Sequence, residues 1–161
     1  MPVFTEHSPA SIALVQDIIL DPENGKLLAF VIKGNHIIVP LDIERLNAGL
    51  YIRDQDCIME QTEVLRVSTV ASRNIYLIGA HVITEKNKTY LGRVVDYEFD
   101  TRIMVLTKIY VEKLFVFFHF QEKIIPFHSI VKILPKHIIV KDSNVAREQE
   151  KIMARSGAFA S

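Results

Sequence analysis

"VITEKNKTYLGRVVDYEFD", residues 82–100, says again what the chain has already said at residues 3–21, "VFTEHSPASIALVQDIILD". Slid by 79 positions with no gap, the two stretches place Val3 on Val82, Thr5 on Thr84, Glu6 on Glu85, Val15 on Val94, Asp17 on Asp96 and Asp21 on Asp100. Other pairs keep their character: Phe4 with Ile83, Ile12 with Leu91, Ala13 with Gly92, Ile18 with Tyr97 and Leu20 with Phe99. A period of this length is too long for a solenoid unit, and two copies are too few for a propeller. The chain of 161 residues therefore divides into two small domains. Each half is near the lower size limit for a self-sufficient core, so the halves are expected to pack on each other.

Within each copy strand signals dominate. "SIALVQDIIL" (11–20) places Ile12, Leu14, Ile18 and Leu20 on one side at period two. "DPENGK" (21–26) supplies turn chemistry, and "LLAFVIK" (27–33) reads as a strand buried on both faces. "GN" (34–35) makes a tight turn, "HIIVP" (36–40) returns, and Pro40 ends the ladder because it has no N–H. "LDIERLNAG" (41–49) reads as a short turn or single helical turn before "LYIRD" (50–54). The second copy has the same order, with one difference. Asp21 to Pro40 spans 19 residues and Asp100 to Pro126 spans 26, the extra length including "KLFVFFHF" (113–120). This spacing predicts an all-β protein, with short strands closed into barrels that leave no exposed edges. Residues 55–78 lack the Gly/Ser/Pro bias of a flexible tether and read as a structured connector, with a short helix near Ser68–Asn74 capped by Ser68. A terminal helix capped by Ser143 and a frayed tail follow Asp142.

Composition narrows the function classes. Apolar residues make up 49% of the chain, which argues against disorder. The longest apolar runs fall far short of the roughly 20 residues a spanning helix needs. The N-terminus has no signal-type apolar stretch, and the single cysteine, Cys57, excludes an internal disulfide, so a cytoplasmic location is expected. Cys57 reads as a partly buried, inert thiol. Residues 1–78 hold 6 Lys/Arg and 10 Asp/Glu, whereas residues 79–161 hold 13 and 9. That asymmetry fits two mutually attracting halves, or a mildly basic surface on the second half for an acidic partner. Neither half is basic enough to make nucleic acid the expected partner.

"VQDIILDPENGKLLAFVIKGNHIIVPLDI" (15–43) resembles a PRC-barrel domain: a Val–x–Asp strand, an Asp-initiated turn with Gly-Lys, an apolar strand, and a Pro-ended strand with a following Ile. The second half adds the family's leading Leu77, Gly79 and Val82, then "LGRVVDYEFD" (91–100) and "IIPFHSIVKILPKHIIVKD" (124–142). The first copy lacks the leading Gly, and the second carries the apolar insertion. The resemblance implies two tandem small PRC-type β-barrels with a short connector and a C-terminal helix. The expected parts are a first repeat at 1–56, a connector at 57–76, a second repeat at 77–142 and a tail at 143–161. Relatives with this domain include the cytoplasmic part of the photosynthetic reaction-centre H subunit and the C-terminal domain of the ribosome maturation factor. Their shared theme is docking onto protein assemblies, without a common active site.

No catalytic, cofactor-binding or metal-ligating set is expected. Asp17/Asp96 and Asp21/Asp100 recur in both copies, but carboxylates four apart on a strand lie about 13 Å apart, too far to share a metal or a proton. They read as structural turn and strand residues. His119, His128 and His137 are spaced nine apart, which is not a ligand spacing, and His128 falls on Asp42 of the first copy. The "KLFVFFHF" stretch reads either as extra core or inter-barrel seam, or as an exposed patch. In the second case Phe115, Phe117, Phe118 and Phe120 would engage a protein partner or a second copy of the chain. The leading expectation is a non-catalytic interaction or assembly module. A ribosome- or RNA-associated factor is the alternative, and a sensor or enzyme with an inter-barrel groove comes last.

Overall fold

The structure, a computed structural model, describes residues 1–114 and 120–142. It is mostly β, with one short α-helix among the described residues. The chain separates into two compact units. Unit 1 is Met1–Tyr76 together with Phe99–Leu106, and unit 2 is Leu77–Glu98 together with the described residues after Leu106.

Unit 1 opens with β1 (Pro2–Thr5), β2 (Ala13–Leu14), β3 (Asp17–Leu20), β4 (Leu27–Val31) and β5 (His36–Ile38). It continues with β6 (Ile43–Leu46), β7 (Leu50–Ile52), β8 (Met59–Glu60) and α1 (Leu65–Ala71). The strands form two four-stranded sheets, ordered β2-β1-β7-β6 and β3-β4-β5-β8. The stretch 11–20 is thus not one strand with one apolar face. It breaks at Val15–Gln16, where the chain passes from the first sheet to the second, and Leu14 stays 61% exposed while Ile18 and Leu20 are buried. At the β4–β5 turn both Gly34 and Asn35 have positive φ, 82° and 62°, the left-handed geometry a tight reversal needs. Residues 40–46 form a 3-10 turn, Pro40–Asp42, and then β6, because Asn47–Gly49 makes the reversal into β7.

Helix α1 starts at Leu65 rather than at Ser68. Its N-cap is Val64, and the Ser68 and Thr69 hydroxyls both donate to the Leu65 carbonyl from inside the helix. The reciprocal cap lies one turn earlier, where the Glu63 carboxylate accepts from the Glu60 N–H at 2.8 Å. A seven-residue helix is not stable alone. It is held by Val67 and Val70, which are buried in a cluster with Ile19, Ala29 and Ile37 from β3, β4 and β5. Unit 1 is completed by Phe99–Leu106. The Leu27 N–H donates to the Met104 carbonyl and the Leu106 N–H to the Gly25 carbonyl, each at 2.8 Å. Phe99 lies against the buried Phe30 with ring centroids 6.1 Å apart.

Unit 2 uses β9 (His81–Thr84), β10 (Tyr90–Asp100), β11 (Val105–Leu114), β12 (Phe120–Pro126), β13 (Ile130–Leu134) and β14 (His137–Val140). They form a single sheet ordered β12-β11-β10-β9-β14-β13. Its core includes Val82, Leu91, Val94, Ile109, Ile125, Ile133, Ile138 and Val140.

The duplication extends to hydrogen-bond register. The antiparallel pairs Pro2↔Leu14 and Val3↔Ala13 recur as His81↔Arg93 and Val82↔Gly92. The parallel pairing of Val3, Phe4 and Thr5 with Leu50, Tyr51 and Ile52 recurs as Val82, Ile83 and Thr84 with Ile138, Ile139 and Val140. The pairs Phe30↔Ile38 and Val31↔Ile37 recur as Ile109↔Ile125 and Tyr110↔Ile124. Even the irregularity between Ile43 and Arg45 recurs between Ile130 and Lys132. Across the β4–β5 hairpin the offset therefore rises from 79 to 87, so the second hairpin is longer by eight residues. One correction to the linear alignment follows. Pro126 matches Val39, His128 matches Leu41 and Ser129 matches Asp42, because the 3-10 turn Pro40–Asp42 recurs as Phe127–Ser129.

The sheets are not closed barrels. Among the described residues no ladder joins β12 to β13, the two edges of the unit 2 sheet. Yet β12 runs into β13 through only Phe127–Ser129. Three residues reach roughly 10 Å, so the sheet must curl until its edges nearly meet. In unit 1 Val39 and the 3-10 turn Pro40–Asp42 instead link β5, an inner strand of the second sheet, to β6, an edge of the first.

Candidate functional site

The four repeated aspartates act on their own backbone. Asp17 Oδ1 accepts from the Ile18 N–H and Asp96 Oδ1 from the Tyr97 N–H, both at 2.8 Å. Asp21 Oδ1 accepts from the Glu23 N–H at 3.0 Å and Asp100 Oδ1 from the Arg102 N–H at 2.8 Å. The two turns then diverge. Asp21 is 3% exposed and is further held by the Asn24 amide and the Arg66 guanidinium from α1. Asp100 pairs locally with Arg102. Burial pushes the Asp21 carboxyl up, but the Glu23 N–H, Arg66 and Asn24 together outweigh it and hold it below the usual carboxylate range. Asp100 is likewise lowered, chiefly by the hydrogen bonds from Arg102. Asp54 and Asp142, which close the two repeats, cap loops as well. Asp54 accepts from the Asp56 N–H, and Asp142 from the Lys86 and Asn87 N–H groups.

Phe115, Phe117, Phe118 and His119 lie outside the described residues, as does the chain from 143 to 161 with its expected helix. Phe120 is the first residue of β12 and pairs with Leu114. His137 sits beside His81 in the parallel β14–β9 ladder, their rings stacked with centroids 5.6 Å apart, and Tyr90 lies 5.7 Å from His81. His128 lies in the 3-10 turn, away from that ladder in sequence and pairing. Among the described residues no group of three or more His, Cys, Asp or Glu is placed to hold a metal. Cys57 is buried, with its thiol 3.8 Å from the Asp54 carboxylate.

Of the open grooves on unit 1, two bring together distinct chemistry. The first is lined by Thr5, Glu6, His7, Ser8, Glu44, Arg45 and Tyr51. The Arg45 guanidinium stands 3.9 Å over the Tyr51 ring, which in turn stacks on Phe4. Glu6 and Glu44 face each other, and the Glu44 carboxyl is raised chiefly because its protonated form can donate a hydrogen bond to Glu6. This groove offers paired carboxyls beside a stacked aromatic platform.

The second groove, of about 560 Å³, runs along the outer side of β2. Ile12, Leu14, Ile32 and Ile58 supply apolar lining, and Lys33 and His36 stand at its rim. Sequence reasoning did not find either groove, because their walls come from segments far apart in the chain. One signal was available: Ala13 in the first copy against Gly92 in the second. A Cβ on Gly92 would lie 2.2 Å from the Glu112 carbonyl oxygen of β11, so only glycine fits there. Ala13 has no such strand beside it.

No family model matches this chain, and no curated protein matches it either.

Proposed function

We propose that the chain is a non-catalytic tandem PRC-barrel-type protein acting in the cytoplasm as an interaction or assembly module for a protein partner. The stretch 113–120, with Phe115, Phe117, Phe118 and Phe120, is the contact. One observation carries this reading. The two repeats share strand register in their matching ladders, and the largest departure, eight residues, falls within the stretch that holds four phenylalanines. Insertion into an otherwise preserved scaffold is how binding loops are added to a fold. The curled sheet of unit 2, its edge strands joined by a three-residue turn, supports a small-barrel reading of the second repeat, and the shared register extends that reading to the first.

The test is the double substitution Phe117→Ser and Phe118→Ser. Far-ultraviolet circular dichroism is expected to be unchanged. Self-association by light scattering, and retention of protein partners from nuclease-treated native extract, are expected to be lost. A double variant that unfolds would make these rings core and end the docking role.

A further inference from the structure

We infer that the free edge of β2 in unit 1 is a strand-addition site for an extended peptide, apolar at alternate positions and acidic at its N-terminal end. The inference rests on comparing the two repeats at one position. In unit 2, the strand corresponding to β2 is the first half of β10, and it has neighbours on both sides: β9 on one and β11 on the other. The β11 segment that fills the second side includes Glu112 and Lys113, whose backbone lies directly against Gly92. That segment exists because the second hairpin is eight residues longer. In unit 1 the chain turns away after Val31 and Ile32, through Lys33–Asn35, and never reaches the same place. β2 is left at the edge of its sheet, paired with β1 alone.

The vacant side has the chemistry of a peptide slot. An unpaired strand edge is a template for another strand, and pockets beside it select the alternate side chains. Leu14, 61% exposed, with Ile12, Ile32 and Ile58, lines the groove where those side chains would lie. Ala13 has an ordinary negative φ, unlike Gly92 at 137°, so its Cβ stands off the sheet plane and leaves the edge clear. The pairing of Leu14 opposite Pro2 turns the Leu14 N–H and C=O away from β1, toward the vacant side.

Charge sets polarity and preference. A strand lying as β11 lies on β10 would run antiparallel to β2, with its N-terminal end next to Ile32 and Lys33. Lys33 and His36 rim the groove, and none of the described lining residues is acidic. An acidic N-terminal end therefore complements it. This site does not involve the Phe-rich hairpin, so failure of the Phe117/Phe118 test leaves it standing, and its own failure leaves that test intact.

The probe is a capped peptide carrying the sequence of Ile109–Leu114 behind two glutamates, titrated to millimolar concentration into the full chain. Amide hydrogen exchange by NMR is expected to slow about fivefold or more at Leu14, whose N–H faces away from β1. Leu14→Glu is expected to weaken binding about tenfold without changing the melting temperature, because Leu14 is exposed. Lys33→Glu is expected to reject the glutamate-headed peptide and accept one headed by two lysines. Unchanged exchange at Leu14, or equal binding by the Leu14→Glu variant, would overturn the assignment.

Discussion

Asp21 and Gly92 show how single residues carry this fold. Asp21 is a buried carboxylate whose pKa is lowered, so its ionised form is favoured by folding. Its contribution is full above the unfolded value near 3.8 and is lost as pH falls through the lower folded value. The Arg66 side chain is 67% exposed, so the ion pair itself adds little and the turn hydrogen bonds carry most of the effect. Asp21→Asn is expected to lower stability by about 1–3 kcal/mol at pH 7. The gap from wild type should narrow below pH 3.8, as read by urea melts at pH 7 and pH 3. A gap that stays constant with pH would remove the ionised carboxylate from the account. Gly92 combines a φ of 137° with a carbonyl 2.2 Å from any added Cβ. Gly92→Ala is expected to cost about 1–3 kcal/mol from backbone strain, with the clash added. Ala13→Gly, at the matching position, should cost only about 0.5–1 kcal/mol. Parallel melting curves of the two variants check the contrast.

At the scale of elements, α1 is the piece most dependent on its surroundings. Seven residues cannot sustain a helix in water. Val67 and Val70 fasten it to Ile19, Ala29 and Ile37. Val67→Ala removes two buried methyl-sized groups and should cost about 2 kcal/mol. Because the helix has no other buried side chains, amide exchange along 65–71 should accelerate before the sheet strands respond. Uniform acceleration through β3 and β4 would mean that helix and sheet open as one body. The β11–β12 hairpin behaves oppositely, since its seven-pair ladder needs no helix.

At the scale of the molecule, unit 1 is not a contiguous stretch of chain. It needs Phe99–Leu106, which lie beyond the start of the second repeat. A fragment of residues 1–76 would lose the backbone bonds to Gly25 and Leu27 and uncover Phe30. It is expected to melt well below residues 1–142, and to regain stability when a peptide of residues 97–108 is supplied. A fragment that melts like the parent would show that the first repeat is self-sufficient. The same discontinuity explains why Leu106, in the second copy by sequence, is 2% exposed within the first unit.

Much of this was legible in the sequence, because the two copies keep the same periodic apolar positions and turn residues. Alternation and turn chemistry place the strands, and the gapless 79-residue offset places Asp17 with Asp96 and Asp21 with Asp100. The all-β class follows from these local signals alone. What local signals lack is a record of which strand lies beside which. The break of residues 11–20 at Val15–Gln16, the unclosed sheet edges, the one-residue shift that moves His128 from Asp42 to Leu41, and the loan of Phe99–Leu106 to unit 1 all depend on pairing between distant segments. The empty side of β2 is the clearest instance. Ala13 and Gly92 look like a conservative difference on paper, and only the presence or absence of a neighbouring backbone, set by where a remote hairpin ends, gives the difference its meaning.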